Sequence, residues 1–292
     1  MKLSMHTDRL ESRFGAIGAI KMIAEAGFEA IDYSMYNSDI AVFRRGGRIL
    51  AGEMKRVAES YGLIFNQAHS PFSDFSIGEE NYNSNKAVFD SICESIRIAA
   101  TLGAQTIVIH PALICPRLSK DQRFDMNMEL YSRFISVARG AGIGISIENV
   151  WARHSDKNNK IVKSVCSDAD ELIRYSDALS SDGVSVCFDV GHAGLVGENA
   201  AGMVKELGER IKHLHIHDND FETDSHTLPY LADVNYPSLC KALGRVGYSG
   251  DVSLESDGFI RNMPDALVPS ALLFSRNVAA YIRDEITKYK DK

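Results

Sequence analysis

The sequence of 292 residues predicts one domain, residues 1–292, with the fold of a closed (β/α)8 barrel. Three observations predict this fold. Short apolar segments recur along the chain, a glycine closely precedes most of them, and amphipathic windows of helical length lie between them. No Pro/Ser-rich linker and no change of composition divides the chain into two domains.

Eight apolar segments are predicted to be the parallel strands. The first is KLSMH at the N-terminus, and the others are AIDYSM, IFNQAHS, TIVIHP, GISIENV, VSVCFDV, KHLHIH and DVSLES. The glycines that precede these seven are Gly27, Gly62, Gly103, Gly142, Gly183, Gly208 and Gly247. Glycine just past a helix end adopts the left-handed conformation at the least cost, so each of them predicts a helix-to-strand junction.

Amphipathic periodicity predicts helices between the strands, among them 12–26, 85–102 and 121–138. A capping box, Ser119 with Gln122, precedes the last of these. The chain is longer than a typical barrel, and we expect the additional residues in βα loops near 34–47, 70–82, 151–166 and 218–236. An open doubly wound sheet is the alternative fold, but the sequence has no GxGxxG after the first strand and no GxxxxGK[ST].

The composition limits the partners of the protein. With 39 acidic and 32 basic residues the formal net charge is -7, which argues against a nucleic-acid partner. The five cysteines include no CxxC pair, as is typical of a reduced cytosolic protein. No apolar export signal is visible at the N-terminus, and the longest segment without charged side chains, 98–116, is interrupted by polar residues, glycine and proline. We therefore expect a cytoplasmic protein without a membrane partner.

Polar and apolar residues alternate within the predicted strands. In the segment 143–148 the isoleucines share one face, and Gly144, Ser146 and Glu148 share the other. The apolar face of a barrel strand packs on the helices, so the last residues of the inward face converge at the C-terminal mouth. Six consecutive strands each supply one such residue, and these are His69, His110, Glu148, Asp189, His215 and Glu255.

Three carboxylates in one barrel mouth would repel one another and lose hydration unless a cation neutralised them. A divalent metal ion resolves this conflict, and its predicted ligands are Glu148, Asp189, His215 and Glu255. This oxygen-rich set suits Mn²⁺ or Zn²⁺ first, and Mg²⁺ or Co²⁺ as alternatives, rather than a structural thiolate zinc. The other interpretation of a single strand-end histidine is a core residue bonded to a backbone carbonyl, and that of a single carboxylate is a salt bridge inside the barrel.

These residues resemble the xylose isomerase-like TIM barrels. That superfamily includes D-tagatose 3-epimerase-like sugar epimerases, sugar-phosphate isomerases, inosose and dehydroshikimate dehydratases, and apurinic-site endonuclease IV. The resemblance covers nearly the whole chain and rests on four segments, SIEN with Glu148, CFDVGH with Asp189 and His192, HLHIHDND with His215, and SLES with Glu255. It implies a metal-dependent isomerase or epimerase of a sugar or sugar phosphate, in which Glu148 and Glu255 also move the proton on opposite faces of the substrate.

The chemistry of such a reaction requires this kind of site. Isomerisation or epimerisation of a ketose removes a carbon-bound proton next to a carbonyl, and the resulting ene-diolate is unstable in water. A metal that chelates the carbonyl and the adjacent hydroxyl stabilises that charge, while carboxylates take and return the proton.

The loop after the fifth strand departs from the sugar epimerases, which usually carry a further glutamate there. This chain reads WARHSDKNNK instead. Arg153 could bind a phosphate or carboxylate or belong to a solvated loop, and Trp151 could support a sugar ring or anchor the loop. His192 could bond a substrate hydroxyl or orient Asp189. We predict that Trp151, Arg153 and His192 are the substrate-binding residues.

A second departure points toward endonuclease IV, which binds three zinc ions through nine ligands. The residues that match them are His69, His110, Glu148, Asp189, His192, His215, Asp224, His226 and Glu255. The acidic balance, and the lack of clustered basic and aromatic residues in the βα loops, argue against binding of duplex DNA. We therefore expect a second metal or substrate-contact site on a small-molecule enzyme, formed by His69, His110, His192, Asp224 and His226.

Three other functions remain open at this point. A dehydratase of a cyclic polyol or keto acid would use the same proton abstraction, followed by loss of a hydroxyl. An endonuclease IV-like phosphodiesterase would need three zinc ions, and a sugar-binding barrel without catalysis would need no metal. The sequence also leaves the oligomeric state open, although relatives with this barrel are often homodimers or homotetramers.

Overall fold

Strands and helices alternate along the chain in the computed structural model, which describes residues 1–36, 43, 47–72, 75, 82–113, 118–154 and 160–290. The strands are β1 (Leu3–His6), β2 (Ala30–Ser34), β3 (Ile64–His69), β4 (Thr106–Ile109), β5 (Gly144–Glu148), β6 (Trp151–His154), β7 (Lys160–Lys163), β8 (Ser185–Asp189), β9 (Ile211–His215) and β10 (Val252–Leu254). The helices are α1 (Asp8–Glu25), α2 (Gly47–Ser60), α3 (Tyr82–Leu102), α4 (Lys120–Ala141), α5 (Ala169–Leu179), α6 (Val190–Leu195), α7 (Ala200–Leu207), α8 (Tyr236–Arg245) and α9 (Val268–Thr287).

Eight of the strands form one parallel sheet that closes into a barrel. Their order is β10-β1-β2-β3-β4-β5-β8-β9, which is the order of a (β/α)8 barrel when the inserted hairpin is set aside. The two ends of the sheet meet where Ile216 pairs in parallel with Leu254, and the backbone N–H of Ile216 donates to the carbonyl of Ser253 at 2.9 Å. The predicted fold class is confirmed.

The alternation of side chains separates an apolar shell from a polar barrel interior. Ile145 and Ile147 of β5 are buried in the shell of apolar residues under the helices. Ser146, between them, lies inside the barrel, where its hydroxyl is 3.0 Å from that of Thr106 and 2.8 Å from that of Ser185. Hydroxyl pairs of this kind satisfy the polar groups of the interior and leave the strand ends to form the mouth.

The local signals in the sequence explain the element boundaries well. All seven predicted junction glycines have positive φ, between 56° and 85°. The capping box is present, since the Ser119 hydroxyl accepts from the Gln122 N–H at 3.2 Å and the Gln122 side chain accepts from the Ser119 N–H at 3.0 Å. Helix α1 begins earlier than periodicity predicts, at Asp8, with Asp8 and Glu11 as favourable acidic residues in its first turn, and it is kinked at Gly15, whose φ is 71°.

The loop predicted near 151–166 contains structure that the sequence did not predict. Here β6 and β7 form an antiparallel hairpin in which Arg153 pairs with Ile161. Parts of the loops predicted near 34–47, 70–82 and 151–166 lie outside the described residues. Among the helices that the structure describes, none has the length and apolar composition needed to cross a bilayer.

Candidate metal centre

Four predicted ligands meet at the C-terminal mouth of the barrel. Glu148, Asp189 and His215 are the last residues of β5, β8 and β9, and Glu255 directly follows β10. Each of the four is at most 1% exposed. One potential ligand atom from each lies within 4.8 Å of the others, so the alternation of the strands has brought them to one point.

The donor atoms of this group fit a divalent cation. His215 Nδ1 lies 2.7 Å from Glu148 Oε1 and 3.0 Å from Glu255 Oε2. Asp189 Oδ2 is buried and has no hydrogen-bond partner among the described residues, and the contact of buried Glu255 Oε2 with His215 Nδ1 is an ion pair without the geometry of a hydrogen bond. An unpaired buried polar atom costs about 1–3 kcal/mol, and more when it is charged. Two carboxylate oxygens and an imidazole nitrogen therefore converge on one point. A divalent metal ion bound there would use them as ligands.

The carboxylates are held in the ionised form that a metal requires. Burial raises the pKa of the Glu148 carboxyl, but the charges of His215 and His110 outweigh burial and bring it well below its usual range. Burial likewise raises the pKa of Glu255, and His215 and His226 bring it well below. Both glutamates are therefore available as bases or ligands near neutral pH.

His69 and His110 lie on one side of Glu148. Its Oε2 is 2.8 Å from His110 Nε2 and 3.1 Å from His69 Nε2. His69 Nδ1 also lies 2.7 Å from the carbonyl of Ser70, which fixes a proton on Nδ1 and leaves Nε2 toward the mouth. His69 therefore forms the hydrogen bond to a backbone carbonyl that is typical of a core histidine. That bond also orients its ring toward the Glu148 carboxylate.

A further group of ligand-type residues lies beside the first, and consists of His192, His217, Asp224 and His226. Asp224 lies between two imidazoles, with Oδ1 at 3.2 Å from His226 Nε2 and Oδ2 at 3.7 Å from His192 Nε2. Burial lowers the pKa of His192, but Asp189 and Asp224 outweigh it and raise the pKa to about 10. The structure thus brings together three of the five residues predicted for a second site, whereas His69 and His110 lie apart from them, beside Glu148. It adds His217, whose ring stacks on that of His226 at 3.9 Å.

A cavity of about 240 Å³ opens above these groups. Its residues include Tyr36, Phe72, His110, Leu113, Trp151, Arg153, His192, Asp224, His226 and Glu255. Trp151 lies edge-on to His192, with ring centroids 6.4 Å apart, and the Arg153 guanidinium lies 5.0 Å from the Trp151 ring centroid. An aromatic wall above a polar floor is the kind of surface that binds a small polyhydroxylated molecule.

Sequence reasoning missed three residues at the mouth. The Tyr36 hydroxyl donates to Glu255 Oε1. His217 Nε2 lies 3.1 Å from Asp189 Oδ1, and buried Asp32 of β2 lies against His215. His217 could have been found by extending the inward alternation of His215 by two residues, and Asp32 by applying the same alternation to β2. Tyr36 follows β2 in a segment that carries no such signal.

Comparison with known proteins relates the chain to one family. The sequence profile of the xylose isomerase-like TIM barrel family matches residues 20–278. An uncharacterized protein of Methanocaldococcus jannaschii is 28% identical over 211 residues, which cover 70% of this chain and 67% of that protein. An inosose dehydratase of Mesomycoplasma hyopneumoniae is 24% identical over 298 residues, which cover 92% of this chain and 88% of the relative.

Solved structures share the fold at lower sequence identity. A D-tagatose 3-epimerase-like protein superposes with a TM-score of 0.72 at 21% identity and covers 98% of this chain and 100% of its own. An L-ribulose 3-epimerase superposes with a TM-score of 0.74 at 15% identity and covers 99% of this chain and 96% of its own. At these identities the likeness establishes the barrel architecture.

Proposed function

The chain belongs to the xylose isomerase-like TIM barrel family, and on that basis we propose that it is a divalent-metal-dependent isomerase or epimerase of a sugar or sugar phosphate. The observation that carries the proposal is the convergence of Glu148, Asp189, His215 and Glu255 below a cavity of about 240 Å³, with a buried Asp189 oxygen that has no hydrogen-bond partner among the described residues. The sugar 3-epimerases among the proteins of similar fold support the same reaction class.

Four residues would hold the metal, with His215 binding through Nδ1, since that nitrogen faces both glutamates. Carboxylate oxygens and one imidazole favour Mn²⁺ or Zn²⁺ in this site. A bound ion would act as a Lewis acid on the substrate carbonyl and the adjacent hydroxyl, and so stabilise the charge of an ene-diolate.

Glu148 and Glu255 would transfer the proton on two sides of the substrate. They extend from β5 and β10, and their carboxylates lie on the same His215 nitrogen, at 2.7 Å and 3.0 Å. In its ionised form one glutamate would remove the proton next to the carbonyl, and the other, after taking a proton from solvent, would return one on the opposite face. The hydroxyl of Tyr36 donates to Glu255 and would hold that carboxylate in place.

The cavity wall would position the rest of the substrate. Trp151 offers a ring face to a sugar, and Arg153 beside it offers a permanent cation to a phosphate or carboxylate. The His192 ring donates through Nδ1 to the Asn149 carbonyl at 2.9 Å, which leaves Nε2 for Asp224 or a substrate hydroxyl.

The proton-transfer role can be tested by exchange of deuterium from solvent into a ketose. We expect the Mn²⁺-loaded protein to exchange the proton next to the carbonyl in at least one of D-fructose, D-tagatose, D-allulose and D-fructose 6-phosphate. Glu255→Gln should lower that rate by about 100-fold or more, because a positioned base contributes roughly 10²–10⁴-fold.

The control for this experiment is Glu171→Gln, which alters a buried carboxylate on α5 outside the barrel interior. Metal content is measured in every variant, since Glu255 is also a proposed ligand. A folded, metal-loaded Glu255→Gln protein that exchanges at the wild-type rate would exclude Glu255 as the base.

A dehydratase is a second candidate, supported by the inosose dehydratase that aligns with 92% of this chain. The same carboxylate would abstract the proton, and a hydroxyl on the neighbouring carbon would leave as water. Product analysis separates the two functions, because a dehydratase yields a product 18 Da lighter, about the mass of one water, whereas an epimerase product has the mass of its substrate.

A phosphodiesterase with several metals is a third candidate, supported by the two ligand groups on either side of the main one. His69 and His110 lie against Glu148, and His192, Asp224 and His226 lie beyond Asp189. We propose instead that His192, Asp224 and His226 hold a second ion or contact the substrate of a small-molecule enzyme. Metal analysis decides, since one or two ions per chain support the sugar enzyme and three support the phosphodiesterase.

A further inference from the structure

We propose that Asp32 is a positioning residue that fixes the tautomer of His215 and thereby sets the metal affinity of the mouth. The inference rests on the metal site proposed above and deepens it. Its basis is a buried contact between β2 and β9: Asp32 Oδ2 lies 3.2 Å from His215 Nε2, and both side chains are fully buried.

The two nitrogens of His215 face different surroundings. Nδ1 is directed at Glu148 and Glu255, the side on which a metal would bind. Nε2 forms no hydrogen bond of good geometry with any described residue. The acceptor nearest to it is the Asp32 carboxylate, at 3.2 Å. A neutral imidazole carries its proton on one nitrogen only, so a proton kept on Nε2 leaves the Nδ1 lone pair for the metal.

The Asp32 carboxylate is itself held in place. Oδ2 accepts from the Gln67 side-chain amide at 2.6 Å and from the Ser253 hydroxyl at 2.9 Å, so it is fixed by β3 and β10 as well as by its own strand. Within the part of the chain that the structure describes, His215 is the one basic side chain that forms an ion pair with Asp32. Among the described residues, the Asp32 carboxylate therefore pairs with this imidazole and not with a lysine or arginine.

The opposite tautomer would be disfavoured at this position. A lone pair on Nε2 would face the carboxylate oxygen at 3.2 Å, and a proton on Nδ1 would occupy the site of the metal. Carboxylates that accept the second N–H of a ligand histidine also raise its basicity, and their removal typically lowers metal affinity about 10–100-fold. Asp32 would act in this way from beneath the mouth, without touching metal or substrate.

A purely structural ion pair inside the barrel is the competing explanation, and two measurements on the protein without substrate separate them. In the first, metal-stripped protein is titrated with Zn²⁺ against a competing chelator. We expect Asp32→Asn to raise the Zn²⁺ Kd about 10–100-fold, because an amide can present its NH₂ to Nε2 and permit the wrong tautomer. The matched control, Glu171→Gln, should leave Kd unchanged. A folded Asp32→Asn protein with the wild-type Kd would overturn the inference.

The second measurement needs no variant and so does not depend on whether Asp32→Asn folds. Long-range ¹H–¹⁵N spectra of Zn²⁺-loaded wild-type protein should assign His215 a metal-bound Nδ1 and a protonated Nε2. A metal on Nε2, or a protonated Nδ1, would overturn the inference while leaving a metal site in place. A wild-type protein that binds no Zn²⁺ would overturn the proposed function as well.

Discussion

Glu148 uses its two carboxylate oxygens for different contacts. Oε1 lies 2.7 Å from His215 Nδ1, on the metal side, and Oε2 lies 2.8 Å from His110 Nε2. In the proposed reaction this division would let one oxygen stay on the metal while the other exchanges a proton. Burial lowers the pKa of the His110 imidazole below its ordinary value.

Glu11 carries a buried carboxylate on α1, and it has no part in the proposed reaction. The Tyr33 hydroxyl donates to its Oε1 at 3.2 Å, while Oε2 has no hydrogen-bond partner among the described residues. Burial raises the pKa of this carboxyl from 4.5 to about 7. The pKa of this carboxyl in the folded protein lies above its ordinary value, so burial favours the protonated form. Its contribution to the free energy of unfolding is fully present below about pH 4.5 and is lost as pH rises through about 7.

We predict that Glu11→Gln flattens the pH dependence of stability. At pH 8 the variant should be more stable than the wild type, by on the order of 3 kcal/mol, because it no longer buries an ionised carboxylate. The difference should shrink toward pH 5. Urea denaturation at both pH values measures it, with Glu25→Gln, an exposed carboxylate on the same helix, as the control. A constant difference between pH 5 and pH 8 would contradict the assignment.

At the residue scale, sequence alone predicted the four side chains that converge at the mouth, but not the residues that contact and orient them. Strand alternation finds Glu148 and His215 because each ends a strand with its polar face inward. Asp32 is followed by Ser34 on the same face of β2, so the rule of the last inward residue passes over it. The pairing of Asp32 with His215 depends on closure of the barrel, which brings together residues far apart in sequence.

The β6–β7 hairpin is the element that completes the cavity. It replaces the loop predicted after β5 and holds Trp151 and Arg153 at the wall by pairing with Lys163 and Ile161. The sequence signals for it were weak, since Trp151–His154 and Lys160–Lys163 are short and mix charged with apolar residues. In contrast, the glycine-marked junctions and the α4 capping box were predictable because each follows from one residue's backbone chemistry.

We predict that Trp151 fluorescence reports substrate binding. Trp151 is the sole tryptophan of the chain and lies at the cavity wall beside His192 and Arg153. Any ketose that undergoes exchange should therefore change the emission saturably, because it displaces water from the indole. Glycerol should not, and Trp151→Phe should lose the signal. An active ketose that leaves the emission unchanged at saturation would remove Trp151 from the binding site.

Across the whole molecule, the barrel interior is divided into layers with different roles. Near its base, hydroxyl pairs such as Thr106 with Ser146 satisfy each other. At the mouth, Asp189 Oδ2 is buried with no hydrogen-bond partner among the described residues, and buried oxygens of Asp224 and Glu255 contact imidazoles without the geometry of a hydrogen bond. The lower polar layer is thus satisfied by hydrogen bonds, whereas the carboxylates at the mouth would be satisfied by the cation proposed to bind there. The formal charge of -7 therefore includes carboxylates that a cation would neutralise.

Bound metal per folded chain is the measurement that tests this account most directly. Wild-type protein dialysed against Mn²⁺ or Zn²⁺ and then against metal-free buffer should retain one tightly held ion. Asp189→Asn keeps the oxygen that caps α6 at the His192 N–H but removes the charge, so it should fold and bind that ion at least about tenfold more weakly. A wild-type chain that takes up neither metal, or an Asp189→Asn chain that retains it fully, would contradict the account.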